Sequence, residues 1–129
     1  MTFLGDYFLI REYRLRPGVE AMELERLAAS GLAEMQGWIA GVKSFSLLRL
    51  GRDEDVSAEA EGEGAMRYLL LIRFASYEAY RGWRRVEAEG ADFWERYASV
   101  MIAWEQVSQL VGEYAGEAVV DVLFRASQG

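Results

Sequence analysis

The chain has 129 residues, of which 52% are hydrophobic and 27% are charged, and its formal net charge is −7. This length and composition are typical of one globular domain with its own core, and the acidic balance argues against nucleic acid or an anionic membrane as a partner. Cysteine and histidine are absent, which excludes disulfides, thiolate nucleophiles, imidazole bases, and haem or zinc sites built on these residues.

The first part of the chain reads as strand, helix, strand. Aromatic and branched residues over 3–15 predict a first strand, which Pro17 ends. Residues 18–36 carry apolar side chains at three- and four-residue steps, which predicts a helix with Gly37 as its C-terminal cap. Residues 42–50 predict a second strand.

Residues 51–64 connect the second strand to the third. They have no apolar periodicity, and they hold six acidic residues and one arginine, a net charge of −5. We expect a mobile acidic loop on the surface. Most of the acidity of the chain is therefore local, and the rest of the domain is nearly neutral.

The order strand, helix, strand returns after this loop. Residues 66–74 predict the third strand, and Ser76 is placed to cap the helix that follows. This helical region breaks near Gly90, and its pattern then resumes up to Val111, where Gly112 and Gly116 are predicted to break it. Residues 119–124 predict the closing strand. The order β-α-β-β-α-β predicts an α+β, ferredoxin-like fold over residues 1–129, with a four-stranded antiparallel sheet and its helices on one side.

Both faces of the predicted sheet are apolar. The face that we place under the helices collects Phe8, Ile10, Val42, Leu48, Tyr68, Leu70, Ile72, Phe74, Val120, Val122 and Phe124. The opposite face collects Tyr7, Leu9, Arg11, Tyr13, Phe45, Leu47, Arg49, Leu69, Leu71, Arg73, Val119, Asp121 and Leu123. Because so large an apolar face is not left to water, we expect a second copy of the chain to cover it, sheet against sheet.

Three segments carry a resemblance to known proteins: residues 14–18 (RLRPG), 74–80 (FASYEAY) and 118–124 (AVVDVLF). They resemble the dimeric α+β barrel superfamily, in which two ferredoxin-like subunits close their sheets into one barrel. Within it, the chain looks most similar to the antibiotic-biosynthesis-monooxygenase-like and EthD-like small proteins. The resemblance implies a homodimer and the oxidation of an aromatic substrate without metal or flavin, the substrate itself supplying the electrons.

One departure from that superfamily limits the possible activities. Many members carry a histidine in the helix after the third strand, in the region of residues 80–84, and this chain has none. The haem-degrading and chlorite-decomposing activities of relatives with an axial histidine are therefore excluded. We expect no cofactor and no metal site.

Three arginines are the main candidates for ligand binding. Arg11, Arg49 and Arg73 are predicted at matching depths on the face away from the helices, with Asp121 on the fourth strand. A buried guanidinium group is unfavourable unless it is paired or binds something. The arginines are therefore predicted either to hold the oxygen atoms of a small anionic or aromatic ligand, or to be neutralised by Asp121 and by acids across the dimer.

Two aromatic residues complete the predicted ligand site. Trp83 follows the third strand by one or two helical turns, near the mouth of the barrel, and its alternative role is packing in the core. Tyr13 is predicted beside the arginines, and it could act as an acid or base, as could Tyr68 or Glu12; no spacing singles one of them out.

Other conspicuous side chains are predicted to be structural. Glu87 and Glu89 are two residues apart, so on a helix they point to different faces, and we expect both to be solvated. A helical stripe is predicted to pack on the sheet or in an interface: Trp94, Tyr97, Met101 and Trp104.

Two functions follow as hypotheses. The first is a cofactor-free enzyme or binder of a small ligand; the second is a non-catalytic, dimeric structural or regulatory module whose inward arginines only fasten the interface. An enzyme requires a cavity that reaches the surface, commonly of roughly 300–1,000 Å³. The N-terminal residues do not form a secretory signal, and no apolar run is long enough to span a membrane. We therefore expect a cytoplasmic protein.

Overall fold

The computed structural model describes residues 5–35, 40–50 and 66–120. The elements in these ranges are β1 (Tyr7–Leu15), α1 (Ala21–Met35), β2 (Val42–Arg49), β3 (Arg67–Phe74), α2 (Tyr77–Glu89), α3 (Ala91–Val107) and β4 (Ser108–Glu117). The predicted acidic loop over 51–64, the helix cap at Gly37 and residues 121–124 of the predicted closing strand lie outside the described residues. Within these ranges no helix is long and apolar enough to cross a membrane.

The four strands form one antiparallel sheet in the order β2-β3-β1-β4. The helices contact the sheet, α1 at β2, α2 at β1 and β3, and α3 at β4. Their buried side chains form one core with the side chains of one sheet face. This is the split βαβ arrangement, so the predicted α+β, ferredoxin-like fold is confirmed.

Local interactions explain where α2 begins and ends. The side chain of Ser76 accepts a hydrogen bond from the backbone N–H of Ala79 at 3.1 Å, as predicted for the N-cap. At the other end the N–H of Gly90 donates to the carbonyl oxygen of Val86 at 2.8 Å. A Cβ atom on Gly90 would lie only 2.7 Å from that oxygen. The predicted break is confirmed, and glycine is required there because the backbones approach closely.

The predicted position of the closing strand is wrong. The fourth strand is β4, over Ser108–Glu117, whereas Val119 and Val120 lie beyond it and are 74% and 77% exposed. The glycines of this segment indicated a break, yet β4 accommodates them at the edge of the sheet. Gly112 lies opposite Glu12 at a β-bulge, and a Cβ atom there would lie 3.2 Å from the hydroxyl of Tyr114.

The third helix ends earlier than the pattern predicts. Its last residue is Val107, and Ser108 has an extended backbone. Arg16 binds the carbonyl groups at this helix end, its side chain donating to the oxygen of Glu105 at 2.6 Å and its N–H to that of Val107 at 3.0 Å. Val111, predicted to be helical, therefore belongs to β4. Its apolar side chain fits the helical spacing as well as it fits a strand, so periodicity alone could not distinguish a helical position from a strand position.

The face of the sheet that packs against the helices is called the covered face here, and the other the open face. On β3 the alternation follows the prediction. The buried residues of the covered face are Tyr68, Leu70, Ile72 and Phe74. Leu69, Leu71 and Arg73 lie on the open face.

The faces of β1 and β2 are the reverse of the prediction, except that Val42 lies opposite Phe74 on the covered face, as predicted. Directly opposed residues of an antiparallel ladder share a face, and Arg11 is opposite Leu70 while Arg49 is opposite Tyr68. The same pairing puts on the covered face Tyr7, Leu9, Tyr13, Phe45 and Leu47, and puts on the open face Phe8, Ile10 and Leu48. The physical reason is that both alternations of β1 and β2 mix apolar and polar side chains, so polarity did not identify the core side.

Candidate functional site

A small cavity lies between the covered face and the helices. Its volume is about 40 Å³. Most of its lining is apolar, from β2, β3, α1 and α3: Leu32, Met35, Phe45, Leu70, Ile72, Val100 and Met101. The side chains with polar atoms are Arg11, Tyr13, Trp83, Glu87 and Trp104. A few polar groups in an apolar enclosure are the usual composition of a small-molecule site.

The two indole groups of the cavity each have an unused hydrogen-bond donor. Trp83 is 2% exposed and Trp104 is 9% exposed, and neither Nε1–H has a partner in the described part of the chain. Buried N–H groups without a partner are rare, because burial removes the water that would accept from them. An oxygen atom of a ligand in the cavity would supply the missing acceptor.

Packing holds Trp83 in place. Its ring centroid lies 5.6 Å from that of Phe45, 6.1 Å from Phe74 and 6.0 Å from Phe93. These aromatic neighbours come from β2, β3 and α3, so the indole is surrounded by three different elements. Trp83 therefore packs in the core and also lines the cavity, and its role in binding a ligand stays a prediction.

A pair of charged residues stands in the cavity wall. The guanidinium of Arg11 donates to both carboxylate oxygens of Glu87, from Nη1 at 2.7 Å and from Nη2 at 2.8 Å. Both side chains are only 14% exposed. Burial works to lower the pKa of Arg11, but the hydrogen bonds and charge of Glu87 outweigh it, so the pKa of Arg11 is raised. Such a fork-to-fork pair fixes the orientation of both groups.

Two more charged residues complete this arrangement outside the cavity. Arg11 Nε donates to Glu113 of β4 at 2.6 Å, and Arg84 Nη1 donates to the same carboxylate oxygen at 3.0 Å. Burial tends to raise the pKa of Glu113, but the bond from Arg11 and the two positive charges lower it overall. We call Arg11, Arg84, Glu87 and Glu113 the charge cluster; its formal charges sum to zero.

Tyr13 is a neutral phenol in this wall. Its side chain is buried, and its ring packs edge-on against Trp104 at 5.4 Å. Burial raises the pKa of Tyr13, which the positive charge of Arg11 only partly opposes. The hydroxyl therefore keeps its proton at neutral pH and can donate a hydrogen bond, but it is a poor base.

The three predicted arginines do not form one patch. Arg49 lies on the covered face and donates through Nε to Glu25 of α1 at 2.9 Å, away from the cavity. Arg73 lies on the open face, where Nε donates to Asp6 at 2.6 Å and the guanidinium stands 5.4 Å from the Phe8 ring. The predicted common placement is wrong because β1 and β2 present the other alternation.

The acids that neutralise the arginines also differ from the prediction. They belong to the same chain: Glu87 and Glu113 for Arg11, Glu25 for Arg49, and Asp6 for Arg73. The predicted partner, Asp121, lies outside the described residues. Of the other predicted acids or bases, Tyr68 donates to Glu25 at 2.6 Å and Glu12 pairs with Arg67 at 3.3 Å on the open face.

Of the five cavity residues with polar atoms, the sequence did not predict two, Glu87 and Trp104, as site residues. Glu87 was predicted to be solvated, which is wrong, and Trp104 was assigned to packing alone. The available signal was the four-residue step from Trp83 to Glu87, which puts both on one face of α2. Trp94, predicted to share a packing stripe with Trp104, is instead 39% exposed, and its Nε1–H donates to the carbonyl of Glu87 at 2.7 Å.

The arrangement offers hydrogen bonding and proton transfer rather than a place for a metal ion. Across residues 5–35, 40–50 and 66–120, no three or more acidic side chains are grouped so that they could hold one. The cavity side chains can donate from two indoles and a phenol, and Glu87 can accept a proton.

No protein-family model and no curated protein sequence matches this chain. Solved structures are similar to it in fold. SnoaB, a cofactor-independent oxygenase from Streptomyces nogalater, superposes with a TM-score of 0.56 at 16% identity, over 97% of this chain and 96% of its own. HapK from Hahella chejuensis gives a TM-score of 0.63 at 18% identity, over 93% of this chain and 99% of its own.

A third similar structure, from Bordetella bronchiseptica, bears the provisional name of an antibiotic biosynthesis monooxygenase. It gives a TM-score of 0.56 at 20% identity, over 90% of this chain and 99% of its own. At these identities the likeness establishes the fold, and it extends over nearly the whole length of each protein. The chain therefore has the ferredoxin-like α+β fold of the antibiotic-biosynthesis-monooxygenase-like proteins.

Proposed function

We propose that the protein is a cofactor-independent, monooxygenase-like enzyme that binds a small aromatic molecule in the cavity between the sheet and the helices. The observation that carries this proposal is the pair of buried indole N–H groups without partners, on Trp83 and Trp104. Both line the same cavity as the buried Arg11–Glu87 pair. The fold shared with SnoaB, a cofactor-independent oxygenase, supports it.

The roles of the residues follow from their chemistry. The substrate supplies the electrons that reduce dioxygen, so the protein has only to bind it, exclude water and stabilise negative charge on it. Indole N–H groups donate to a substrate oxygen, and the apolar walls exclude water. Of the predicted ligand residues, the proposal keeps Arg11, Tyr13 and Trp83; Arg49 and Arg73 lie away from the cavity.

The test is dioxygen uptake with an electron-rich phenol, such as a substituted hydroquinone, in buffer that contains a metal chelator. We expect uptake above the uncatalysed rate, reduced at least about tenfold in Trp83→Phe and in Trp104→Phe, since each loses one hydrogen bond to developing charge. Tyr77→Phe, which changes an exposed aromatic side chain outside the cavity lining, is the matched control. Equal rates with and without protein would contradict the proposal.

We also propose that the protein is a homodimer whose subunits pack their open faces together. On that face Ile10 lies between Leu71 and Tyr114 in one row across three strands, which we call the apolar strip. Leu48 and Tyr114 are 46% and 60% exposed. Ion pairs flank this strip, Arg73 with Asp6 at one end and Arg67 with Glu12 at the other. An apolar centre with a polar rim is the composition of a protein interface.

A non-catalytic dimeric module is the second candidate, and a specific observation favours it. The cavity volume of about 40 Å³ is far below the roughly 300–1,000 Å³ of ordinary ligand sites. In this alternative Arg11 and Arg49 fasten helices to the sheet within one chain, rather than one sheet to another. Such a module would consume no dioxygen, and Trp83→Phe would change only its stability. We further propose that the protein is cytoplasmic, whichever of the two functions it has. Cell fractionation would test this location.

A further inference from the structure

We propose that Glu87 is the base that takes a proton from the bound substrate, and that this substrate enters as a neutral carbonyl compound or phenol. The inference rests on the proposed function, because it concerns the same cavity. It adds the group that ionises the ligand and the charge state in which the ligand binds.

The position of Glu87 relative to Trp83 is the first support. The two residues are four apart on α2, so they are neighbours on one helix face, with roughly 5–6 Å between their Cβ atoms. Both line the cavity. A ligand whose carbonyl oxygen accepts from the Trp83 indole would have its acidic C–H or O–H within reach of the carboxylate, one helical turn away.

The hydrogen bonding of Glu87 is the second support. Arg11 donates one hydrogen bond to each carboxylate oxygen, and each oxygen has a further lone pair. The pair therefore fixes the carboxylate in one orientation, while each oxygen keeps a lone pair that can accept a proton. Arg11 is the positioning residue in this arrangement.

The charge balance is the third support, and it bears on the substrate. All three nitrogens of the Arg11 guanidinium donate to Glu87 or Glu113, and the charge cluster is formally neutral. The charge cluster therefore has no uncompensated positive charge that would attract an anionic ligand. Tyr13 does not compete as the base, because its phenol is buried and keeps its proton.

The proton step balances within the site. The C–H or O–H bond of the substrate breaks, its proton forms an O–H bond on Glu87, and its electron pair stays on the substrate as an enolate or phenolate. The negative charge thus moves from Glu87 to the ligand oxygen, which accepts the Trp83 N–H. The step itself needs no oxidant; reaction of the anion with dioxygen comes afterwards.

Deuterium exchange without dioxygen tests this step on its own. The full chain is incubated anaerobically in D₂O with 2-indanone, an enolisable benzylic ketone, and loss of the α-proton signal is followed by NMR. We expect exchange above the buffer rate, reduced by about 100-fold in Glu87→Gln, which is typical for loss of a general base. Glu87→Asp should retain an intermediate rate, because it keeps a carboxylate. Glu89→Gln, two residues along and exposed, is the matched control and should exchange at the wild-type rate.

The outcomes separate the two proposals. Exchange at the wild-type rate in a folded Glu87→Gln variant overturns the assignment of the base, as does wild-type protein that exchanges no faster than buffer. If Glu87→Gln does not fold, the comparison of Glu87→Asp with Glu89→Gln decides, and equal rates overturn the inference. Wild-type exchange without dioxygen uptake from a phenol contradicts the oxygenase proposal but supports the base.

Discussion

The surroundings of each arginine decide its role. Arg11, Arg49 and Arg73 have the same side chain, yet of the three only Arg11 lines the cavity between the sheet and the helices. Arg49 joins Glu25 and Tyr68 in a second polar group that ties α1 to the sheet. Arg73 is held on the open face by Asp6. A guanidinium group is therefore a ligand-binding candidate only when it stands beside a space that a ligand can enter.

The Glu25 group predicts how stability responds to acid. Hydrogen bonds from Tyr68 and Arg49 lower the pKa of Glu25 below its ordinary value of 4.5. A carboxyl group whose pKa is lower in the folded state stabilises the fold above its unfolded-state pKa, and this contribution is lost as the pH falls through the folded-state pKa. We expect Glu25→Gln to reduce proton uptake on acid unfolding by up to about one proton.

Urea unfolding between about pH 3 and 7 measures this effect, with Glu34→Gln on the exposed side of the same helix as the control. Parallel acid profiles for wild type and Glu25→Gln would contradict the assignment.

Tyr68 has the corresponding effect at alkaline pH. Burial and then its bond to Glu25 raise its pKa from 10.0 to about 12. Its contribution to stability is present below pH 10 and is lost as the pH rises towards 12.

The boundary between α2 and α3 positions the cavity residues of both helices. Trp83 and Glu87 stand before it and Trp104 after it, so the angle between the helices sets where the donors lie. Trp94 spans the junction by donating to the carbonyl of Glu87 at 2.7 Å. The junction is compact because Gly90 ends one helix and precedes the other directly.

Two glycines of this region should respond in opposite ways to replacement by alanine. A Cβ atom on Gly90 would lie 2.7 Å from the Val86 oxygen, while one on Gly82, within α2, would meet nothing within 4 Å. We expect Gly90→Ala to destabilise by about 1–3 kcal/mol, and Gly82→Ala to stabilise by about 0.5–1 kcal/mol because alanine favours the helix. Urea unfolding of both variants provides the comparison, and an equal effect of the two would refute the packing argument.

At the scale of the whole molecule, the two faces of the sheet have different structural roles. The covered face builds the core and the cavity, whereas the open face carries an apolar strip between two sets of ion pairs. A strip of this kind on an isolated subunit is unfavourable in water. A second copy provides the matching surface, since a twofold axis brings the same patch of each subunit together.

Sedimentation at micromolar concentration tests this assembly, and we expect a dimer. Leu71→Lys puts a charge in the middle of the strip and should yield monomers, because burying it without a partner is costly. Ile102→Lys is the matched control; Ile102 is 55% exposed on α3, so its replacement should leave the dimer intact. A stable wild-type monomer would rule the open-face dimer out.

Much of the fold follows from local patterns. The runs of β-branched and aromatic residues predict β1, β2 and β3, and the apolar steps predict the helices, with Ser76 and Gly90 marking the ends of α2. The exception is β4, where glycines indicated a break and the apolar spacing continued the helix. A strand with Gly112 in it forms because β1 offers a partner edge, and a partner in space leaves no local signal.

The sequence by itself determined the α+β order of elements, the absence of histidine and cysteine chemistry, and the presence of two apolar sheet faces. Tertiary structure alone decided which face the residues of β1 and β2 occupy, because both alternations of these strands mix apolar and polar side chains and only their register with β3 selects one. It therefore also decided that Arg11 meets Glu87 beside a cavity, while Arg49 and Arg73 are held elsewhere. Periodicity describes one strand at a time, and a site is made by the register between strands.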